Sequence, residues 1–270
     1  MGANAVIVTG GHLDGIDVLY DGGFELIERE RINKGTHGAR CTYSAALTAY
    51  LAKGLALREA AMKAKEFVVA SIKGGMNVGD GSSPVNPLAL ILRETERYDV
   101  LKDVRNAVSL LEKCDEFSKL IPEVGSNIGM AIKGATSIKD VAAVRGRIVR
   151  IDGARAVGEV DFGASSHVAR FILATMQFDE KMRGGMNIKY SPSILSRCKR
   201  LKLSIASFDR KEEPKGVDTM EWGISTAIKE FGSVPDIIYD LGSVGKEPMI
   251  RVLGCSATDV AQKVVKIAKR

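Results

Sequence analysis

Residues 74–87 read Gly-Gly-Met-Asn-Val-Gly-Asp-Gly-Ser-Ser-Pro-Val-Asn-Pro, and this stretch limits what the chain can fold into more than any other. It is rich in Gly, Ser and Pro and has no apolar period, so it can neither cover a sheet face nor sustain a helix. It predicts a boundary, with one region at 1–85 and another at 86–270. A phosphate-binding glycine loop is the competing reading, but the stretch lacks the Lys-Ser or Lys-Thr ending that such a loop needs. Before the boundary, short strands at 5–8, 17–20 and 24–32 precede helices at 41–53 and 57–72, which Gly54 separates. After it, a helix over 88–113 offers two apolar stripes, Leu88, Ile91 and Leu92, then Val100, Val104, Val108 and Leu111; core packing is expected for both. Strands at 148–151, 188–190, 203–208, 236–239 and 249–253 then interleave with helices at 165–178, 193–201, 222–231 and 257–268. Such alternation predicts a layered α/β domain.

Composition removes several classes. Hydrophobic residues at 45% and charged residues at 27% are the proportions of a soluble globular chain. No apolar run reaches membrane-spanning length, and residues 1–12 lack a signal-peptide layout, so the expected location is cytoplasmic, with no membrane partner. Cys41, Cys114, Cys198 and Cys255 are scattered without a CxxC pair, and His12, His37 and His167 lie far apart, which argues against a zinc cluster or a disulfide framework. The formal charge of +6 comes from basic residues dispersed among acids. Nucleic acid is therefore not the expected partner, and small phosphorylated molecules suit the charge equally well.

The stretch Phe162-Gly163-Ala164-Ser165-Ser166-His167-Val168-Ala169-Arg170 reads as a loop entering a helix. Ser165 or Ser166 can cap the helix, whose first amides and positive dipole end favour an anion. His167 and Arg170, three residues apart, then face one ligand. The pattern fits a phosphate or diphosphate seat, and it equally fits an ordinary capped helix with a surface His and Arg.

The first region resembles the C-terminal third of a hydroxymethylpyrimidine phosphate kinase of the ribokinase superfamily. Gly10-Gly11-His12-Leu13, Tyr20-Asp21-Gly22-Gly23, and Thr36-His37-Gly38 ahead of Cys41-Thr42-Tyr43-Ser44-Ala45-Ala46 carry the likeness. That family closes an anion hole with Thr-Gly where this chain has Ala39-Arg40, and an Arg puts a side chain where backbone amides must approach a phosphate. With the other strands of such a kinase missing from residues 1–85, the expectation is a kinase-like α/β remnant without turnover of its own.

Six polar motifs punctuate the second region: Pro122-Glu123-Val124-Gly125-Ser126-Asn127-Ile128, Gly146-Arg147-Ile148-Val149-Arg150, the 162–170 stretch, Met186-Asn187-Ile188-Lys189-Tyr190-Ser191, Ser207-Phe208-Asp209-Arg210, and 239–251 from Tyr239-Asp240 through Lys246-Glu247 to Arg251. In this order they resemble the archaeal-type, ThiN-type thiamine-phosphate synthase domain. The resemblance implies a three-layer α/β/α domain with a mixed sheet, similar to class II aldolase-like proteins. It also implies condensation of hydroxymethylpyrimidine diphosphate with hydroxyethylthiazole phosphate. Arg147 and His167 match the family's critical Arg and His and are the expected catalytic pair. Ser165, Ser166, Arg170, Asn187, Asp209, Lys246 and Glu247 are expected to bind substrate or phosphate. Magnesium fits as the partner of the diphosphate, with Asp209 or Asp240 available to hold it, although the sequence assigns no metal ligand. Similar domains attached to DNA-binding modules make a non-catalytic, thiamine-phosphate-sensing regulator the alternative. The exposed strand edges expected in residues 1–73 would also allow self-association or complementation of a separate kinase chain.

Overall fold

The computed structural model describes every residue except 1, 12, 13, 30, 31, 33–35, 77, 215–218 and 244. It divides into two compact units, Met1–Thr95 and Glu96–Arg270. Among the described residues no helix is long and apolar enough to cross a membrane.

In the first unit, strands β1 (Val6–Val8), β2 (Asp17–Tyr20) and β3 (Phe24–Ile27) form an antiparallel sheet in that order. The third strand stops at Ile27 rather than running to residue 32. After β4 (Thr36–His37) come helices α1 (Ala39–Ala52) and α2 (Leu57–Lys73). The helices close on each other through small side chains, with Ala46 and Ala64 buried beside Tyr43 and Val68. Leu19 and Ile27 pack against Ala61 from the sheet. Part of the Gly/Ser/Pro stretch belongs to this unit: β5 (Ser83–Pro84) pairs in parallel with β4, and the Asn86 amide donates to the Ser71 carbonyl at 2.8 Å.

Helix α3 (Ala89–Glu112) carries the chain into the second unit, whose strands are β6 (Ile128–Ala131), β7 (Val141–Val144), β8 (Ile148–Arg150), β9 (Ala154–Ala156), β10 (Val160–Phe162), β11 (Gly184–Lys189), β12 (Ile205–Ser207), β13 (Ile237–Asp240) and β14 (Met249–Gly254). Its other helices are α4 (Ser166–Met176), α5 (Pro192–Arg200), α6 (Thr219–Phe231) and α7 (Ala257–Ala268). Seven strands form one mixed sheet in the order β10-β7-β6-β11-β14-β13-β12, with β12 and β13 parallel and every other neighbour antiparallel. β8 and β9 form a separate hairpin. Helices α4 and α6 cover one face with Val168, Phe171, Ile172, Ile224 and Ile228. The other face meets α5, α7, the later half of α3 and the 3-10 turn Asp115–Leu120. The result is the expected three-layer α/β/α arrangement with a mixed sheet.

The two stripes expected on α3 part company. Val100, Val104 and Leu111 are buried, whereas Leu88, Ile91 and Leu92 stay exposed, correcting the expectation that both pack into a core. β6 and β7 do not alternate in polarity, because both of their faces are buried beneath helices, so no period-2 signal marks them.

Close approach fixes where α4 lies. A Cβ on Gly185 would stand 2.3 Å from the Phe171 ring, and one on Gly129 would stand 2.8 Å from the Val168 side chain. Glycine at both positions lets the helix settle onto β6 and β11 and brings its N-terminus over one end of the sheet. Phe171 is fully buried at this contact, so Phe171→Ala should lower the unfolding free energy of the second unit by about 3–5 kcal/mol. Urea unfolding followed by the fluorescence of Trp222, the sole tryptophan, reads this directly. A loss below about 1 kcal/mol would contradict the packing just described.

Candidate active site

A cavity of 590 Å³ opens where β6 and β14 begin and where β7, β11, β13 and β12 end, with the α4 N-terminus above it. Of the residues expected to bind or react, it brings together Arg147, Ser165, Ser166, His167, Arg170, Asn187, Lys246 and Glu247. Asp209 is not among them. It is exposed and caps the 3-10 turn Arg210–Glu212, accepting from the Lys211 amide at 2.9 Å. Its neighbour Arg210 lines the cavity instead. Asn127 and Met249, each inside a named motif but given no role from sequence, also line it, as does Met220, which falls in none.

The α4 start is built locally. Ser165 is the N-cap, and its hydroxyl accepts from the Val168 amide at 3.4 Å. Ser166 begins the helix, and His167 meets the Phe171 ring edge-on with centroids 6.0 Å apart. The anion-attracting end of the helix therefore faces the cavity together with an imidazole and the Arg170 guanidinium.

Arg147 follows β7 in a tight turn. Gly146 and Arg147 both adopt positive φ, 79° and 84°, and the Arg147 guanidinium donates to the Val124 carbonyl. Glu247 ties the same loop from the far side, accepting from the Glu123 amide at 3.2 Å and the Val124 amide at 3.4 Å. Asn187 works in the same manner. Its carbonyl accepts from the Asn127 amide at 2.7 Å and its NH2 donates to the Gly125 carbonyl at 3.1 Å, while the Asn127 side chain bridges both backbone groups of Val144. Glu247 and Asn187 thus shape the rim and floor by holding backbone in place.

Asp240 anchors the other side. It is fully buried and accepts from Arg210 Nε at 2.5 Å and Nη2 at 3.2 Å, from Arg251 Nη1 at 2.8 Å, and from the Gly242 amide at 2.8 Å. Burial pushes its carboxyl pKa up, but the hydrogen bonds and charges of the two guanidinium groups outweigh that and hold it below the usual carboxylate range. A carboxylate so engaged cannot also ligate a metal, which removes Asp240 from the ion-holding role considered for it.

Among the described residues of the lining, Arg147, Arg170, Arg210 and Lys246 stand against one carboxylate, Glu247. Such a cavity suits a polyanion. Among the described residues no group of three or more His, Cys, Asp or Glu side chains could hold a metal ion, and Glu247 already accepts two amides. The donor set does not fit a magnesium ion held by the protein.

A second 590 Å³ cavity lies within the first unit, lined by Thr36, His37, Gly38, Arg40 and Cys41 and by the buried pair Lys65 and Asp17, 2.6 Å apart. Gly38 has φ 87° as the residue preceding α1. His12 and Leu13 of the Gly10-Gly11-His12-Leu13 motif lie outside the described residues.

Comparison with known proteins bears on both units. The family model for thiamine-phosphate synthase ThiN matches residues 103–266, and that for phosphomethylpyrimidine kinase matches residues 1–86. The chain is 45% identical over 241 residues to the bifunctional thiamine biosynthesis protein ThiDN of Methanocaldococcus jannaschii, covering 88% of this chain but 56% of that relative, so it spans little more than half the relative's length. It is 40% identical over 176 residues to the thiamine-phosphate synthase ThiN of Methanothermobacter thermautotrophicus, covering 63% of this chain and 93% of the relative. A crystal structure described as the C-terminal domain of phosphomethylpyrimidine kinase superimposes with a TM-score of 0.61 at 41% identity, covering 64% of this chain and 100% of that one.

The Asp240 cluster generates a stability prediction. Asp240→Asn should destabilise the second unit by about 3–5 kcal/mol at neutral pH, because two buried guanidinium groups lose their counter-charge. The folded-state pKa is depressed, so this contribution is present above the unfolded value of about 3.9 and fades as pH falls through the folded one. Urea midpoints of wild type and variant should therefore converge as pH falls below that unfolded value and through the lower folded one. A gap that stays constant from neutral to strongly acid pH would refute the ionic origin.

Proposed function

The chain belongs to the thiamine-phosphate synthase ThiN family, and we propose that its synthase domain, residues 86–270, condenses hydroxymethylpyrimidine diphosphate with hydroxyethylthiazole phosphate to give thiamine phosphate and pyrophosphate. The observation that carries this reading is the cavity whose described lining sets four cationic side chains and a helix N-terminus against one carboxylate.

The chemistry asks for such a lining. The thiazole nitrogen brings its own lone pair, so no strong base is needed to create the nucleophile. As it bonds to the pyrimidine methylene, the bond from that carbon to the diphosphate oxygen breaks and negative charge grows on the departing oxygen. Donors fixed in advance around that oxygen stabilise the transition state more than the ground state. Arg147 can grip phosphate oxygens through its planar fork, Arg170 adds charge from the first turn of α4, and His167 can donate a hydrogen bond or a proton to the leaving group. Ser165 and Ser166 place the first amides of the helix toward the same anion. Magnesium, as a companion of the diphosphate, would enter bound to substrate oxygens, and no step here runs through it.

Residues 1–85 are proposed to have no turnover of their own, since Arg40 puts a side chain at the helix start where backbone would otherwise close on a phosphate. Supplying ATP and hydroxymethylpyrimidine phosphate tests this, and formation of the diphosphate would overturn it.

With the purified chain and both synthetic substrates, thiamine phosphate should form. Arg147→Ala and His167→Ala should each cut kcat by about 10²–10³-fold with an unchanged melting temperature. Ligand binding without product in the wild-type chain would point instead to a sensor, and near-normal turnover in either variant would remove that residue from the mechanism.

A further inference from the structure

The cations of the cavity fall into two groups on different parts of the sheet, and we propose that they form two separate anion seats. Arg147, His167 and Arg170 form the seat for the leaving diphosphate, and Arg210 with Lys246 forms a seat for the phosphate of the thiazole. The proposal rests on the synthase reading and deepens it by giving the second substrate's anion its own residues.

Strand order supplies the first argument. Arg147 follows β7 and Arg210 follows β12, five places apart in the sheet. At about 4.8 Å per strand the ends of β7 and β12, each three residues before its arginine, lie roughly 24 Å apart across the sheet. One phosphate group cannot engage both. Two anions on one substrate pair can, with the heterocycles between them. The strand between β11 and β13 is β14, which contributes Met249 to the lining, while α6 contributes Met220. Thioether side chains suit the flat faces of rings.

Charge also distinguishes the Arg210 end. The Arg210 side chain is only 7% exposed and is clamped by both oxygens of Asp240. Arg251, whose side chain is fully buried, shares that carboxylate, and its Nε and Nη2 have no hydrogen-bond partner. Among the described residues, two guanidinium groups against one carboxylate leave a buried positive excess beneath this end of the cavity, which an anion bound at Arg210 would compensate. Lys246, half-exposed, stands at the same end, 3.9 Å from Glu213. Asp240 is here a positioning residue. It fixes the guanidinium and, through the Gly242 amide, the start of the loop that carries Lys246.

The assignment of substrates follows from need. The departing diphosphate carries more charge and gains from a hydrogen-bond or proton donor, and the α4 end has the helix amides and His167. The thiazole phosphate does not react and needs only a fixed, rigid hold, which a clamped Arg provides.

The test is calorimetric titration of the full chain with hydroxyethylthiazole phosphate and, separately, with inorganic pyrophosphate. Arg210→Met and Lys246→Met should weaken the thiazole phosphate at least about tenfold and leave pyrophosphate within about threefold. Arg147→Met should show the reverse. Loss of both ligands to the same variant, an exchanged pattern, or no change would overturn the two-seat assignment. If Arg210→Met fails to fold, as judged by circular dichroism, Lys246→Met carries the test, because its side chain is half-exposed. Wild-type turnover measured alongside separates the two claims. The crossed pattern without thiamine phosphate formation would defeat the synthase reading and leave the seats standing. Turnover without the crossed pattern would defeat the seats alone, and binding of neither ligand to the wild-type chain would overturn both.

Discussion

Asp240 is the constraint on which one side of the site depends. A single buried carboxylate at the end of β13 holds Arg210 from the 3-10 turn after β12, Arg251 from β14, and the backbone of the loop that leads to Lys246 and Glu247. Glu247 in turn accepts the amides of Glu123 and Val124, and the Val124 carbonyl receives the Arg147 guanidinium. Arg147 and Arg210 therefore belong to one chain of polar contacts running around the cavity. Because each link is buried or shared with backbone, the lining is held ready for an anion rather than assembled by one, which is the condition for electrostatic stabilisation without reorganisation.

The opposite wall is set by packing. Glycine at 129 and 185 lets α4 approach the sheet more closely than any side chain would permit, and the buried face of the helix, from Val168 through Ile172 to Met176, fixes its rotation. That rotation leaves His167 and Arg170 on the cavity side. The same apolar contacts that stabilise the second unit thus aim the functional groups, so a core substitution at this contact should disturb the site before it unfolds the domain.

How far the sequence revealed this depends on whether each feature is local or arises from pairing. The α4 start was legible because capping is written in adjacent residues, Ser165 with His167 and Arg170 just after it. The alternation of later strands and helices gave the layered architecture for the same reason. β6 and β7 were missed because double burial erases their alternation, and the Leu88, Ile91, Leu92 stripe misled because periodicity marks a face without saying what covers it. Ser207-Phe208-Asp209-Arg210 is the most instructive case. An acid in a polar turn suggested a phosphate-binding or ion-holding residue, whereas Asp209 caps its own turn and Arg210 faces the cavity because of Asp240, thirty residues later in the chain. No local pattern carries that pairing.

Arg147 sits in a strained turn. A non-glycine residue at φ 84° costs about 1–3 kcal/mol, and glycine at 147 would relieve it. The cost is tolerated because the surroundings determine the turn several times over: Ile148 and Ser126 exchange both backbone hydrogen bonds, at 2.7 and 2.9 Å, and the Val157 amide donates to the Arg147 carbonyl at 2.9 Å. Gly146, immediately before, takes the same sign of φ without penalty. A turn that needs two left-handed residues but spends glycine on only one of them is retaining the second side chain for a purpose. Here that side chain is the guanidinium that lies against Val124 and faces the anion cavity, so the backbone outlier and the charge of the lining point to the same residue.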